Sequence, residues 1–138
     1  MKKLGLDIGS VRIGIATSDI LGVIASAYEV YKRRFLKADV YYIKNLAESL
    51  EVDTIVIGKP LKLDGSSGQS VAMVEEFANE LSKICEIPVV FQDERLSTVS
   101  AEKMLIEGNV RREKRKQLID AVAATIILQN YLDKPKKS

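Results

Sequence analysis

The feature that most constrains this fold is the run Leu-Gly-Leu-Asp-Ile-Gly-Ser-Val-Arg-Ile-Gly-Ile-Ala-Thr-Ser-Asp at residues 4–19. It reads as two short, β-branched strands, residues 3–8 and 12–17, joined by a tight turn at Gly9 and Ser10, where glycine allows backbone angles that other residues resist. Asp7 lies inside the first strand, between Leu6 and Ile8. A carboxylate there costs free energy to desolvate unless hydrogen bonds, a cation or a metal ion compensates it. The plainer reading is an exposed aspartate beside a turn, a common place for that residue.

Further along, residues 23–31 read as a third strand after a turn at Leu21 and Gly22, which completes an antiparallel meander. Leu36, Val40, Ile43, Ala47 and Leu50 recur at helical spacing over residues 35–50. Residues 53–58 are a continuous apolar strand of the kind buried on both faces of a parallel sheet. A loop at residues 64–68 leads to a helix over residues 69–84, then a strand at residues 88–92 that ends at Asp93 and Glu94. A short helix from Ser97 or Ser100 to Gly108 and a final helix over residues 116–132 complete the order. That order predicts an α/β fold: a mixed five-stranded sheet, three strands antiparallel and the rest parallel, flanked by helices on both faces. Residues 1–133 are expected to form one domain and residues 134–138 a frayed basic tail.

Composition then removes mechanisms. The chain contains no histidine, which excludes Ser-His-Asp and Cys-His catalysis and imidazole-bound zinc. Chemistry has to run on carboxylates, lysine, hydroxyls or a hard metal ion. The single cysteine, Cys85, is expected to be a core residue, and the chain to be cytoplasmic with no membrane span. A net charge of +2 conceals a cluster: Arg111, Arg112, Lys114, Arg115 and Lys116 surround one glutamate.

Two more acids stand out. Asp120 interrupts a final helix that is apolar nearly all round, so it is pressed toward an interior unless it is only a first-turn partner of the helix dipole. Asp93 and Glu94 follow a parallel strand, where sites of such sheets form. Strand alternation puts these two on opposite faces without saying which faces a site. Converging carboxylates raise one another's pKa unless a cation sits among them. Magnesium or manganese suits an all-oxygen set, and two such ions about 4 Å apart can drive phosphodiester cleavage without histidine.

Residues 5–19, Gly58-Lys59-Pro60-Leu61, Asp93-Glu94-Arg95-Leu96-Ser97 and Asp120-Ala121-Val122-Ala123-Ala124 together resemble the YqgF/RuvX family of Holliday-junction-resolvase-like nucleases, with the motifs in order over almost the whole chain. The resemblance implies a ribonuclease-H-like fold and a nuclease dependent on Mg2+ or Mn2+, acting in 5′-end maturation of pre-16S rRNA. Junction resolution on branched DNA, or a non-catalytic ribosome-assembly role, is the alternative. It carries the catalytic, metal-binding acids onto Asp7, Glu94 and Asp120, with Asp93 as a reserve ligand. Arg12, Lys59, Arg95 and the cluster Arg111, Arg112, Lys114, Arg115 and Lys116 are the candidate phosphate contacts to structured RNA or branched DNA. Solvated charge is the plainer account of each, and for Lys59 the better one. Either a monomer or a homodimer fits, since a symmetric junction needs two sites.

Overall fold

A computed structural model describes residues 1–59, 69–93 and 112–133. The elements are β1 (Lys3–Ile8), β2 (Arg12–Ser18), β3 (Ala25–Lys32), α1 (Leu36–Ser49), β4 (Thr54–Lys59), α2 (Gln69–Ile84), β5 (Val89–Asp93) and α3 (Arg112–Leu132). The strands form one sheet in the order β3-β2-β1-β4-β5. β1 pairs antiparallel with β2, and β2 with β3, so the meander is present. β4 pairs parallel with β1 and with β5, which brings the carboxyl ends of three strands to one edge.

Each face of the sheet has its own apolar layer. Leu4, Leu6 and Ile8 of β1 join Ile55 and Ile57 of β4 against Ile43 of α1 and Phe77 and Leu81 of α2. Burying side chains of this size contributes about 1.5–3 kcal/mol each. The opposite face is thinner: Ala16, Ala25 and Val56 meet Ala124, Ile127 and Leu128 of α3. Gly5 sets that spacing, because a Cβ there would stand 2.7 Å from Leu128 Cβ and 3.2 Å from the Ala124 carbonyl oxygen. Cys85 is buried and unpaired, as a core residue should be.

Boundaries differ from expectation for identifiable reasons. β3 starts at Ala25, not residue 23, because the Asp19 carboxylate takes the N–H groups of Val23 (2.7 Å) and Ile24 (3.0 Å). Those bonds, from Ile24 and then Val23, hold the Asp19 carboxyl below its usual pKa. Gly9 is required for room and not for backbone angle: its φ is not left-handed, but a Cβ would meet the Arg12 carbonyl oxygen at 2.7 Å. α3 starts at Arg112, four residues before the first residue expected, since arginine, glutamate and lysine are all good helix formers. The expected helix ending at Gly108, the loop at residues 64–68 and the basic tail lie outside the described residues.

Candidate active site

Strand alternation fixes which side chains face α3. In β1 the even residues Leu4, Leu6 and Ile8 point to α1 and α2, so Asp7 shares the α3 face with Gly5. Asp7 is half-buried. The direction of α3 is set at its far end. There Gln129 accepts from the Ala25 N–H (2.9 Å) and donates to the Val23 carbonyl (2.9 Å), beside the amino end of β1, where the Lys3 N–H donates to Ser18 Oγ at 2.7 Å. The amino end of α3 therefore points to the carboxyl end of β1. Asp120 lies one turn before Ala124, about 6 Å along the helix axis. Asp7 lies two residues beyond Gly5, about 6.6 Å along the strand. Since Gly5 contacts Ala124 and Leu128, these nearly equal steps carry the backbone of Asp120 toward that of Asp7. With α3 beginning at Arg112, Asp120 is two turns into the helix, beyond reach of a first-turn dipole role.

The turn after Asp7 is held from below by a buried ion pair. Arg33 Nε donates to Asp39 Oδ2 at 2.8 Å, while Tyr31 Oη and the Arg34 N–H each donate to Asp39 Oδ1 at 2.9 Å. Arg33 also donates from Nη1 to the Gly9 carbonyl (3.0 Å) and from its backbone N–H to the Val11 carbonyl (2.8 Å). Its guanidinium lies over the Phe77 ring, 5.6 Å from the centroid. Burial, then the hydrogen bond to Asp39, pushes the Tyr31 pKa up, so the hydroxyl stays a donor. Tyr31 stacks on Tyr42, whose pKa burial and a bond to Glu29 push up to about 12. None of this was apparent in the sequence, although a signal existed: Asp39 stands three residues after Leu36 and four before Ile43, on the apolar stripe of α1.

The remaining predicted residues fall in different places. Asp93 closes β5 at the register position opposite Lys59, and is described by its backbone, as are Asp120 and the residues Arg112, Lys114, Arg115 and Lys116. Those four basic residues occupy the first turns of α3, not a segment preceding it. Glu94, Arg95 and Arg111 lie outside the described residues. Arg12 opens β2 at the turn after Asp7 and is exposed. The Lys59 side chain lies on the α2 face, 3.5 Å from Glu75 Oε1 and 5.2 Å from the Phe91 ring centroid, lining a cavity of about 230 Å³ between α2 and β5. Its described contacts are thus on the side of the sheet away from Asp7. Among the described residues, no group of three or more aspartates, glutamates or cysteines is placed to hold a metal ion. No described helix is long and apolar enough to cross a membrane.

This arrangement of sheet and helices is the ribonuclease-H-like fold. T. thermophilus RuvC in complex with Holliday junction substrate matches it with a TM-score of 0.56 and 16% identity, over 96% of this chain and 93% of that one. Fowlpox virus resolvase with its substrate Holliday junction DNA matches with a TM-score of 0.58 and 12% identity, over 96% and 97% of the two chains. At such identities the likeness is one of fold. The sequence is more specific: the RuvX family model, described as Holliday junction resolvase, matches residues 1–134, and the chain belongs to that family. A Carboxydothermus hydrogenoformans relative named "Putative pre-16S rRNA nuclease" is 47% identical over 138 residues, the full length of both chains. A relative of the same name from Halalkalibacterium halodurans is 48% identical over 136 residues, 97% of each chain.

Proposed function

We propose that this chain is a divalent-metal-dependent nuclease that hydrolyses phosphodiester bonds in structured nucleic acid, with the 5′ end of pre-16S rRNA as its substrate. The observation that carries the reading is Asp7, held on the α3 face at the carboxyl end of β1, with α3 running so that Asp120 approaches it. Glu94 supplies the third carboxylate. Asp93, its neighbour in the same motif, is the reserve ligand.

An oxygen-only donor set in a chain without histidine fits magnesium or manganese. When bound, such an ion supplies charge stabilisation at the phosphate and a more acidic water. The chain's own residues do the rest. Asp7, Glu94 and Asp120 would hold the cation through their carboxylate oxygens. The Arg33 to Gly9 hydrogen bond keeps the turn beside Asp7 from shifting as nucleic acid binds. Arg12 at that turn and Arg112, Lys114, Arg115 and Lys116 in the first turns of α3 neutralise backbone phosphates on either side. Positive charge at a helix amino terminus opposes the helix dipole, so the charge of this cluster, unlike the helix propensity of its residues, does not stabilise α3. Phosphate contacts of this kind position a substrate and do not read its sequence, so selection rests on the shape of the RNA.

The test is cleavage of a labelled precursor 16S rRNA fragment and of a four-way DNA junction, with magnesium or manganese, by the wild type and by Asp7→Asn and Asp120→Asn. Metal-dependent cutting of the rRNA fragment, reduced at least about a thousandfold in both variants, is the expected result. Preferential cutting of the junction would replace the substrate and require two copies to place two sites. Binding of the RNA with no cutting would overturn the enzymatic reading in favour of an assembly factor.

A further inference from the structure

Gln92 stands outside the chemistry described so far. In β5 the side chain of Val90 packs with the α3-side layer and that of Val89 with the opposite one, so Gln92 shares the face of Val90. Its register partner in β4 is Gly58. On the other side of β4, Leu6 is opposite Ile57, and one further step along both parallel strands sets Asp7 beside Gly58. Asp7, Gly58 and Gln92 thus form a lateral row across three strands at their carboxyl ends, all on the α3 face. The middle residue has no side chain, and two strand spacings separate the outer two by about 10 Å of backbone.

Gln92 is only 8% exposed, and its Oε1 is buried with no hydrogen-bond partner among the described residues. It is the one buried side-chain oxygen or nitrogen so placed among them. A buried acceptor without a donor costs free energy, and a methionine of similar length would fill the position without that cost. An amide kept at such a cost, in the same row as Asp7, calls for a donor that arrives with a ligand. A phosphate diester oxygen has no hydrogen to give. The waters retained by a bound magnesium or manganese ion do, and the cation strengthens them as donors.

Building on the reading of Asp7 as a metal ligand, we propose that Gln92 Oε1 accepts a hydrogen bond from a water of the hydrated divalent cation held at Asp7. Gln92 is then a positioning residue: it orients the cation's water across the row at Gly58, where no side chain intervenes, and trades stability of the metal-free protein for occupancy of the site.

The metal readouts need no nucleic acid, and RNA affinity is measured alongside them. Mn2+ binding by calorimetry and thermal melting with and without Mn2+ are measured on the wild type, Gln92→Met, Gln92→Asn and Asp7→Asn. The metal-free Gln92→Met protein should melt about 2–4 °C above the wild type, having lost a partnerless acceptor. Its Mn2+ affinity should fall about ten- to a hundredfold, the usual effect of removing a hydrogen bond to a metal's ligand shell, and its melting shift on adding Mn2+ should shrink accordingly. Gln92→Asn keeps the amide but withdraws it by one methylene, and should fall between. Asp7→Asn should lose Mn2+ binding altogether. Unchanged Mn2+ affinity in both Gln92 variants, with binding lost in Asp7→Asn, would overturn this inference and leave the metal site standing. Metal affinity retained in Gln92→Met but RNA affinity lost would also overturn it, and assign the acceptor to a ribose hydroxyl. No Asp7-dependent Mn2+ binding in the wild type would overturn the metal site and this inference together.

Discussion

Asp39 of α1 and Asp7 of β1 are carboxylates on opposite sides of the same sheet, one on the α1–α2 side and the other on the α3 side, and their surroundings differ in kind. Asp39 is fully buried, and both of its oxygens are engaged by Arg33, Arg34 and Tyr31 within a thick layer of leucine, isoleucine and phenylalanine. Asp7 is half-buried at the carboxyl end of β1, on a face whose buried layer is Ala16, Ala25, Val56 and Ala124 with two large side chains of α3, Ile127 and Leu128. The first environment closes around its charge and uses it to hold the chain. The second leaves its carboxylate half-buried at the end of a strand. The lesson is that, with Asp7 as the proposed catalytic acid, one face of the sheet carries the stability and the other the proposed chemistry, and that burial alone does not separate the two kinds of acid.

The largest effect should come from opening the closed side. Asp39→Asn removes the anion that Arg33 faces, leaving a guanidinium among apolar groups, and should cost about 3 kcal/mol of stability by denaturant unfolding. A loss below about 1 kcal/mol would show that water reaches Arg33 easily and that the face is less closed than described.

On the α3 side, the close approach of helix to sheet is sharpened by Gly5→Val, whose side chain has to displace Leu128 and the Ala124 backbone. Overpacking of this kind should cost about 1–3 kcal/mol, and Gly5→Ala less. Because the displaced helix carries Asp120, cleavage should fall further than stability does, measured at a temperature where both variants are fully folded.

Charge on the accessible side is tested by salt. Arg112→Gln with Arg115→Gln should weaken binding of every structured RNA by a similar factor and lower the slope of log affinity against log salt by about 2. An altered preference between RNAs, with no change in slope, would move these residues from phosphate to base contacts.

The smallest effect is a matter of pH. Burial alone would raise the pKa of Asp53, but its hydrogen bonds to Lys3 at 2.6 and 2.9 Å and the lysine's charge outweigh it, so the folded value lies below 3.8. A carboxyl depressed by folding contributes stability above its unfolded pKa and loses it as pH falls through the folded value. Asp53→Asn should therefore cost a few tenths of a kcal/mol at pH 7, the pair being partly exposed, and the difference from the wild type should shrink and vanish as pH falls through the folded value.

Much of this was legible in the sequence because it rests on local patterns. The hairpin at Gly9, the apolar strand of β4 and the amphipathic helix α1 follow from periodicity and turn chemistry, and the helices were expected on both faces. Asp7 was legible because a charged residue inside an apolar strand has to be explained. Asp39 and Gln92 were not, because what distinguishes them is the identity of their partners across the fold. Tyr31 of β3 and Arg33 just beyond it enclose Asp39 of α1, and the Oε1 of Gln92 is notable only because nothing described meets it. The start of α3 was misjudged because the apolar period begins later than the helix, and with it the cluster Arg112, Lys114, Arg115 and Lys116 moved from a preceding segment into the helix itself.

The most direct measurement is to make Asp7→Asn and Asp39→Asn, the same chemical change on opposite faces, and to record unfolding free energy and the metal-dependent cleavage rate per folded molecule for both. The account predicts that Asp7→Asn keeps its stability to within about 1 kcal/mol and loses cleavage by about a thousandfold or more, while Asp39→Asn loses about 3 kcal/mol and keeps cleavage to within about tenfold. Cleavage surviving in Asp7→Asn, or lost in a fully folded Asp39→Asn, would contradict the division of labour between the two faces.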